Sequence, residues 1–381
     1  MTTTDMSLAL LLGPQLRAFA GAGYEVYGAS APGPFVEQLA AWGIRHVPLR
    51  HATRAVAPRH DVMALAELRS SFLALRPDIV HTHNPKPGVY GRLAARSARV
   101  PAVVNTVHGL YAQPEDDWRK RAVVYGLERL AGRCSDAELV QNPEDLETLA
   151  GLGVPRAKLR LLGNGVDLER FGPDAVDDAM RLAVRAEVGA QPGDVVVTAV
   201  GRLVREKGYV ELFAAAERVR ARLPQARFVV AGPPDRDKAD ALPEADVRRA
   251  EAAGVRFLGF RDDVERLYRA SDVYVLASHR EGFPRSAMEA AASGLPVVAT
   301  DIRGCRQVVA DGVTGRLVPK GDVGALAAAI GELVAEPDTR SRMAAAARGK
   351  AAAEFDQQRV IDLTLEVYER LLARSSQRRV A

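Results

Sequence analysis

The sequence is poor in cysteine: Cys134 and Cys305 are the two it has among 381 residues. That excludes a disulfide framework and fits a reducing cytosol. No apolar run approaches the length that crosses a bilayer. The short N-terminal run Leu8–Leu12 lacks a basic lead-in and reads as the inner face of a helix, not as a signal peptide. The chain is therefore expected to be soluble or peripheral to a membrane. Neither half carries a G-x-G-x-x-G turn after its first strand, which argues against a nicotinamide dehydrogenase. No cysteine or carboxylate cluster accompanies the histidines, so no metal site is expected. Charge of one sign is barely in excess, with 52 Lys and Arg against 48 Asp and Glu and a pI near 9.1. A surplus so small and so spread is a weak argument for an anionic partner and none for nucleic acid.

What the sequence does contain is an ordinary globular composition, 48% hydrophobic and 26% charged, at a length that suits two domains. Short apolar strands alternate with amphipathic helical stretches. The strands are expected at Tyr24–Ala29, Ile44–Leu49, Asp78–His83, Ala102–Val107, Ala137–Gln141 and Leu159–Leu162, then at Val195–Gly201, Arg227–Ala231, Val255–Gly259, Val273–Ala277, Pro296–Thr300 and Gly315–Val318. Such alternation predicts an α/β fold with two parallel sheets in series and right-handed crossovers. Phe171-Gly172-Pro173-Asp174 is the expected linker between residues 1–172 and 173–354, and Ala325–Ala353 reads as two surface helices. Open parallel sheets bind ligands at the carboxyl ends of their strands, so the polar residues at those ends are candidates for chemistry.

Ser278–Asp301, SHREGFPRSAMEAAASGLPVVATD, is the most informative stretch. Pro284 suits a first helical residue, the alanine-rich Arg285–Ser293 suits a helix, and Gly294 suits its stop. A helix N-terminus there, with Phe283, Pro284, Arg285 and Ser286, can hold a phosphate on free N–H groups. Glu289 can accept hydrogen bonds from a vicinal diol such as a ribose, and Glu281, outside the helix, can face a second polyol. Together they suggest a ligand of sugar, diphosphate and nucleoside; a pair of solvated glutamates is the bland alternative. In GRLVREKG, at another strand end, Arg202 and Lys207 can converge on one diphosphate, arginine through its planar fork and lysine as a point charge.

His108 closes a strand before Gly109, where a substrate can approach its ring; a buried histidine bonded to backbone is the alternative. His81 and His83, in VHTH, are expected on opposite faces of their strand, with one of them, taken as His83, lining the cleft. The Phe260–Val264 turn with Arg261 either touches a nucleobase or caps a helix through Asp262 or Asp263. Lys86, Arg92, Arg96 and Arg99, with Trp118–Arg121, form basic and partly aromatic helical faces. Those faces are either solvated or rest on anionic lipid.

Taken jointly, GRLVREKG, the E-x7-E of EGFPRSAMEAAASGLPVVATD, DGVTGRLVP, NTVHG and GNGVD resemble family 4 of the glycosyltransferases, in its bacterial surface-polysaccharide and lipid-linked glycan group. The resemblance implies a GT-B fold, two facing Rossmann-like domains with a cleft between them. The N-terminal domain would bind the acceptor and be completed by a C-terminal helix at about 355–381, and the C-terminal domain would bind the donor. It implies retaining, metal-independent transfer of a hexose or N-acetylhexosamine from a UDP-linked sugar to a glycan or lipid-linked acceptor. The setting would be the cytoplasm, or peripherally the inner face of the plasma membrane. Glu281 would meet the donor sugar, Glu289 the ribose, Arg202 and Lys207 the diphosphate, and His108 the reacting centre. Arg261 would lie at the nucleotide; His83, Lys86 and Asn164 would border the acceptor cleft. No cofactor is implied beyond the nucleotide sugar as co-substrate, and no nucleic-acid partner.

In one place the sequence departs from the family pattern. Only Met1–Asp5 stands where a hydrophobic first strand and glycine-containing loop are expected, so that strand is absent, cut short or rebuilt. Because fold does not fix function, a nucleotide-sugar epimerase or hydrolase of the same architecture, or a non-catalytic sugar-nucleotide binder, are the alternative readings.

Overall fold

The computed structural model describes residues 1–53, 58–83, 85–112, 116–236 and 238–380. The chain divides into two α/β units, Met1–Gly163 with Gln358–Ala381, and Asn164–Gln357. The strands are β1 Tyr27–Ser30, β2 Arg45–Pro48, β3 Ile79–His83, β4 Ala102–Val107, β5 Ala137–Val140 and β6 Leu159–Leu161 in the first unit. In the second they are β7 Val195–Val200, β8 Ala226–Ala231, β9 Val255–Phe257, β10 Val273–Leu276, β11 Val297–Thr300 and β12 Gly315–Val318. Each matches an expected strand, the largest displacement being the start of β1 at Tyr27 instead of Tyr24. The pairings between these strands are all parallel.

The second unit has one sheet in the order β12-β11-β10-β7-β8-β9. Its central strands are nearly all apolar and buried, VVVTAV in β7 and VYVL in β10, as strands covered on both faces must be. One face packs the helices Tyr209–Arg222 and Val323–Ala335 over Val197, Phe228 and Val275. The other packs Arg285–Ala292 and Pro337–Glu354 over Tyr274, Leu276 and Val297. The Ala325–Ala353 region is thus two helices, but Leu326, Ile330, Leu333 and Met343 bury one side of each, so neither is merely superficial. Strand order reverses between β7 and β10, whose carboxyl ends lie side by side.

In the first unit β1–β2 and β3-β4-β5-β6 are separate ladders. Met1–Thr4 runs between them. Thr2 N–H donates to Ala29 O and Ala31 N–H to Thr3 O on one side, while His83 N–H donates to Met1 O on the other. These few residues occupy the place of the expected first strand. Asp5 then ends the segment, its carboxylate accepting the Met6 and Phe35 N–H groups at 2.8 and 2.7 Å. The C-terminal helix Gln357–Val380 belongs to this unit, where Val360, Ile361, Val367, Tyr368 and Leu371 pack with Val104, Ala137 and Leu139.

Two boundaries differ from expectation. Phe171 is 2% exposed in the second unit's core and is no linker; the units divide after Gly163. Phe355 is likewise in the second unit's core, so the return to the first begins past it. A Phe-Gly-Pro-Asp string has the composition of a linker, yet the aromatic ring finds a pocket and pulls the segment inward.

The first unit buries a charged network. Arg92, 1% exposed, donates to Glu138 at 2.6 Å, to Glu128 at 2.7 Å and to the Gly88 carbonyl at 2.7 Å. Asn105 and Ser135 donate the remaining hydrogen bonds to Glu138, at 2.7 and 2.6 Å. This places Arg92 under the surface and removes it from the expected basic face. Removing one partner from a buried ion pair costs roughly 3–5 kcal/mol, because it strands the other charge. Arg92→Met is therefore expected to lower the stability of the first unit by that amount in urea unfolding. Tryptophan fluorescence reads this unit specifically, since Trp42 and Trp118 are the chain's two tryptophans and both lie in it.

Candidate active site

The point where strand order reverses is where an open parallel sheet binds ligands, and here the loops after β7 and β10 meet. The loop after β7 ends in the turn Arg205–Lys207, closed by Gly208 at φ +70°. A Cβ on Gly208 would stand 1.9 Å from the Ala277 carbonyl oxygen, so only glycine lets the loop press against the end of β10. His279 N–H fastens the two loops by donating to Glu206 O at 2.8 Å. As a result Lys207 Nζ reaches Glu281 Oε1 at 2.5 Å, and Ser278 Oγ donates to the same oxygen at 2.7 Å. Behind it, a Cβ on Gly304 would stand 2.6 Å from the Glu281 carbonyl, a second approach that holds the loop in place.

The helix after β10 runs Arg285–Ala292, and Gly294 at φ +81° lies just beyond its end. Pro284 is its N-cap rather than its first residue, and no side chain caps it. Its first-turn N–H groups, which a helix leaves without internal acceptors, open toward the loop. Within it Glu289 accepts from Arg285 Nε at 3.1 Å and from the Tyr268 hydroxyl at 3.3 Å. Burial raises the Glu289 carboxyl above the usual range, with Arg285 opposing. Ser286 Oγ meets the Tyr274 hydroxyl at 2.7 Å, and the Phe283 carbonyl accepts from Asn164 Nδ2 at 3.1 Å. Asn164 thus belongs to the second unit and steadies the loop before the helix.

Sequence reasoning missed this supporting layer. Ser278 orients Glu281, and the buried Tyr209, Tyr268 and Tyr274 direct their hydroxyls at Gly201 O, Glu289 and Ser286. Burial raises all three tyrosine hydroxyls. The available signal was Tyr274 inside the aliphatic run of β10, since a buried hydroxyl needs a partner.

Two expected donor-binding residues are turned elsewhere. Arg202 pairs with Asp235 and is not in contact with Lys207, whose stem passes over Gly201. Arg261 is held by Asp263 at 2.8 Å and by Glu187, which raise its already high pKa. Asp263 is the N-cap of Val264–Ala270, but its carboxylate engages Arg261 and caps no N–H.

His108, His83 and Lys86 lie in the first unit. His81 and His83 share one face, because strand residues two apart do; their rings stack at 4.2 Å, which overturns the expectation of opposite faces. His83 Nδ1 lies 3.0 Å from His108 Nε2, and His81 lies 2.5 Å from the Tyr368 hydroxyl and 2.7 Å from Thr106 Oγ1. Both alternatives for His108 were partial: it is half-buried, and it meets side chains, His83 and Gln141, not backbone. Burial pushes His108 down to about 4 and His81 and His83 well below their usual value. Among the described residues no group of three His, Cys, Asp or Glu side chains is placed to hold a metal ion. Lys86 pairs with Asp61 at 2.8 Å and also donates to the Thr53 carbonyl.

Residues 15–170 match the family described as Glycosyltransferase Family 4, and residues 181–350 match Glycosyl transferases group 1. The chain is 30% identical over 368 residues to the Bacillus subtilis protein named "Putative glycosyltransferase EpsD", covering 93% of this chain and 91% of that one. It belongs to the family 4 glycosyltransferases. A second relative, 32% identical over 69% of this chain and 68% of its own, is the Escherichia coli UDP-Gal:alpha-D-GlcNAc-diphosphoundecaprenol alpha-1,3-galactosyltransferase. Among solved structures, Anabaena HepE in complex with UDP aligns with a TM-score of 0.78 at 21% identity, over 97% of this chain and 98% of that chain. Sucrose-phosphate synthase from Thermosynechococcus elongatus aligns at 0.80 and 24%, over 98% of each. Those likenesses are of fold, and the fold is GT-B.

Two outcomes are expected of this glycosyltransferase. Gly208→Ala should displace Lys207 and lower thermal stability, a shift readable by calorimetry. The histidines set a pH dependence. Between pH 6.5 and about 4 His108 is neutral when folded and protonated when unfolded. The unfolded state then binds more protons, so stability is full above that window and falls as pH drops through it. The slope is roughly 1.4 kcal/mol per pH unit per such histidine. His108→Gln should remove that one histidine's share of the slope in urea unfolding measured across the window, leaving the share of His81 and His83.

Proposed function

We propose that this glycosyltransferase moves a hexose or N-acetylhexosamine from a UDP-linked sugar to a glycan or lipid-linked acceptor, with retention at the anomeric carbon and without a bound metal. The observation that carries the reading is the Lys207–Glu281 contact beside an uncapped helix N-terminus, at the carboxyl ends of β7 and β10. A diphosphate at that N-terminus would draw Lys207 from Glu281 and meet the helix N–H groups. Arg202 would leave Asp235 to join them. Glu281, held by Ser278, then presents its carboxylate to hydroxyls of the donor sugar, and Glu289 receives the ribose diol.

Stabilising the charge that grows on the departing diphosphate is electrostatic catalysis, for which donors fixed before reaction are worth most. In the proposed step the acceptor oxygen forms its bond to the anomeric carbon on the face the diphosphate leaves. The sugar–phosphate bond breaks, and the acceptor's proton passes to the departing phosphate oxygen. The chain would work in the cytoplasm, where UDP-sugars are available. The UDP and undecaprenol-linked substrates in the names of the relatives support this donor and acceptor class for this chain.

Lys207→Ala and Glu281→Ala are each expected to reduce transfer by roughly 10²–10³-fold while thermal unfolding still shows a folded protein. Near-unchanged turnover in either variant would sink the assignment. A thermal-shift screen of nucleotide sugars identifies the donor, because a ligand that binds only the folded state raises its stability by mass action. UDP release should require acceptor; release without it would favour hydrolysis.

A further inference from the structure

The loop that leaves β10 carries Glu281, and His279 stands two residues before it. His279 is tied down twice. Its backbone N–H donates to Glu206 O at 2.8 Å, and its ring Nε2 lies 2.8 Å from Glu211 Oε1. A carboxylate oxygen only accepts, so Nε2 carries the shared proton. Glu211 lies in the first turn of the helix Tyr209–Arg222, whose Tyr209, Leu212, Phe213 and Val219 are buried. The imidazole therefore reaches from a loop to a helix fixed in the core. The turn that holds Glu206 is braced as well. Arg205 N–H donates to Asp240 O at 2.8 Å, and Lys238 pairs with the Glu206 carboxylate at 2.8 Å.

We propose that His279 is a positioning residue: anchored on Glu211, it keeps Glu281 directed at the donor sugar once Lys207 has turned to the diphosphate. This role rests on the reading that Glu281 meets the donor sugar. In the structure Lys207 and Ser278 both hold the Glu281 carboxylate. The Lys207 contact is the one a diphosphate takes away, so it does not fix the carboxylate in the loaded enzyme. The bond between His279 and Glu211 involves neither Lys207 nor Glu281, and the exchange leaves it in place. Thr300 Oγ1 donates to the Ser278 carbonyl and holds the loop before His279. The imidazole holds it on the side of Glu281. The pair matters more for placement than for folding. The His279 side chain is 39% exposed, and an exposed ion pair contributes little to stability. Misplacing a group at a reacting site by about 1 Å, by contrast, costs on the order of a hundredfold.

The test is titration calorimetry of the full chain with UDP and with UDP-glucose, UDP-galactose and UDP-N-acetylglucosamine. His279→Ala should bind UDP as the wild type does, because the backbone bond to Glu206 survives and still holds the Lys207 turn. It should bind the UDP-sugar that the wild type accepts about tenfold more weakly, the lower end of what a hydrogen bond to a charged group is worth. Glu211→Ala should do the same, and the double variant should be no weaker than either alone, since the two residues form one contact. His279→Gln should recover most of the loss, because a glutamine amide extends to the position of Nε2; the shorter His279→Asn should not. Melting temperatures should change little, which checks that the variants fold. A residue that only supported the fold would weaken UDP and UDP-sugar alike and gain nothing from the glutamine. Where Glu281→Ala shows the selective loss, an equal loss for both ligands in His279→Ala, or none, would overturn the proposal. Where Glu281→Ala leaves UDP-sugar binding unchanged, the reading of Glu281 itself fails and the positioning role falls with it.

Discussion

The loop geometry at the candidate site of the second unit depends on one close approach of backbone to backbone. Gly208 sits against the carbonyl of Ala277 at a distance that no side chain tolerates. That contact joins the loop leaving β7 to the loop leaving β10, and it sets a lysine amine against a glutamate carboxylate with a serine hydroxyl behind them. Beyond the single turn Arg205–Lys207, neither loop has regular structure of its own to impose this arrangement. The parallel sheet supplies the two neighbouring strand ends, the glycine removes the steric obstacle, and the ion pair holds the polar groups in register.

A second theme is the use of buried polar groups as supports. In the second unit three tyrosine hydroxyls reach Gly201, Glu289 and Ser286 from within the core. In the first, Arg92 satisfies two glutamates, and three histidines are packed neutral against one another and against Thr106 and Tyr368. Each such group is costly if left unpaired, and paired it resists displacement. The same burial that keeps these histidines neutral makes the first unit sensitive to acid.

Much of the fold was legible in the chain because buried parallel strands must be short runs of Val, Ile, Leu and Ala, and because glycine and proline mark their ends. Hence β4 and β12 fall where expected to the residue. The E-x7-E stretch was legible for a related reason: Pro284 and Gly294 bracket a helix whose position then locates Glu281 and Glu289. Other expectations erred where tertiary packing overrode composition. Arg92 looked like a surface cation until two glutamates, remote in sequence, enclosed it. Phe171 looked like linker and is core. The opposite-face reading of His81 and His83 failed on strand geometry itself, since residues two apart point the same way.

The sequence by itself determined the alternation of strands and helices, the family, and the helix N-terminus with its two glutamates, because these depend on local pattern and short-range spacing. Only the tertiary structure decided which charges are available. Arg202 turns to Asp235, Arg261 to Asp263 and Glu187, Lys86 to Asp61, and Arg92 inward, while Lys207 faces Glu281. A cation's partner is set by which carboxylate the folded chain brings within a few ångströms and how far burial strips away water, and no local run of residues encodes that.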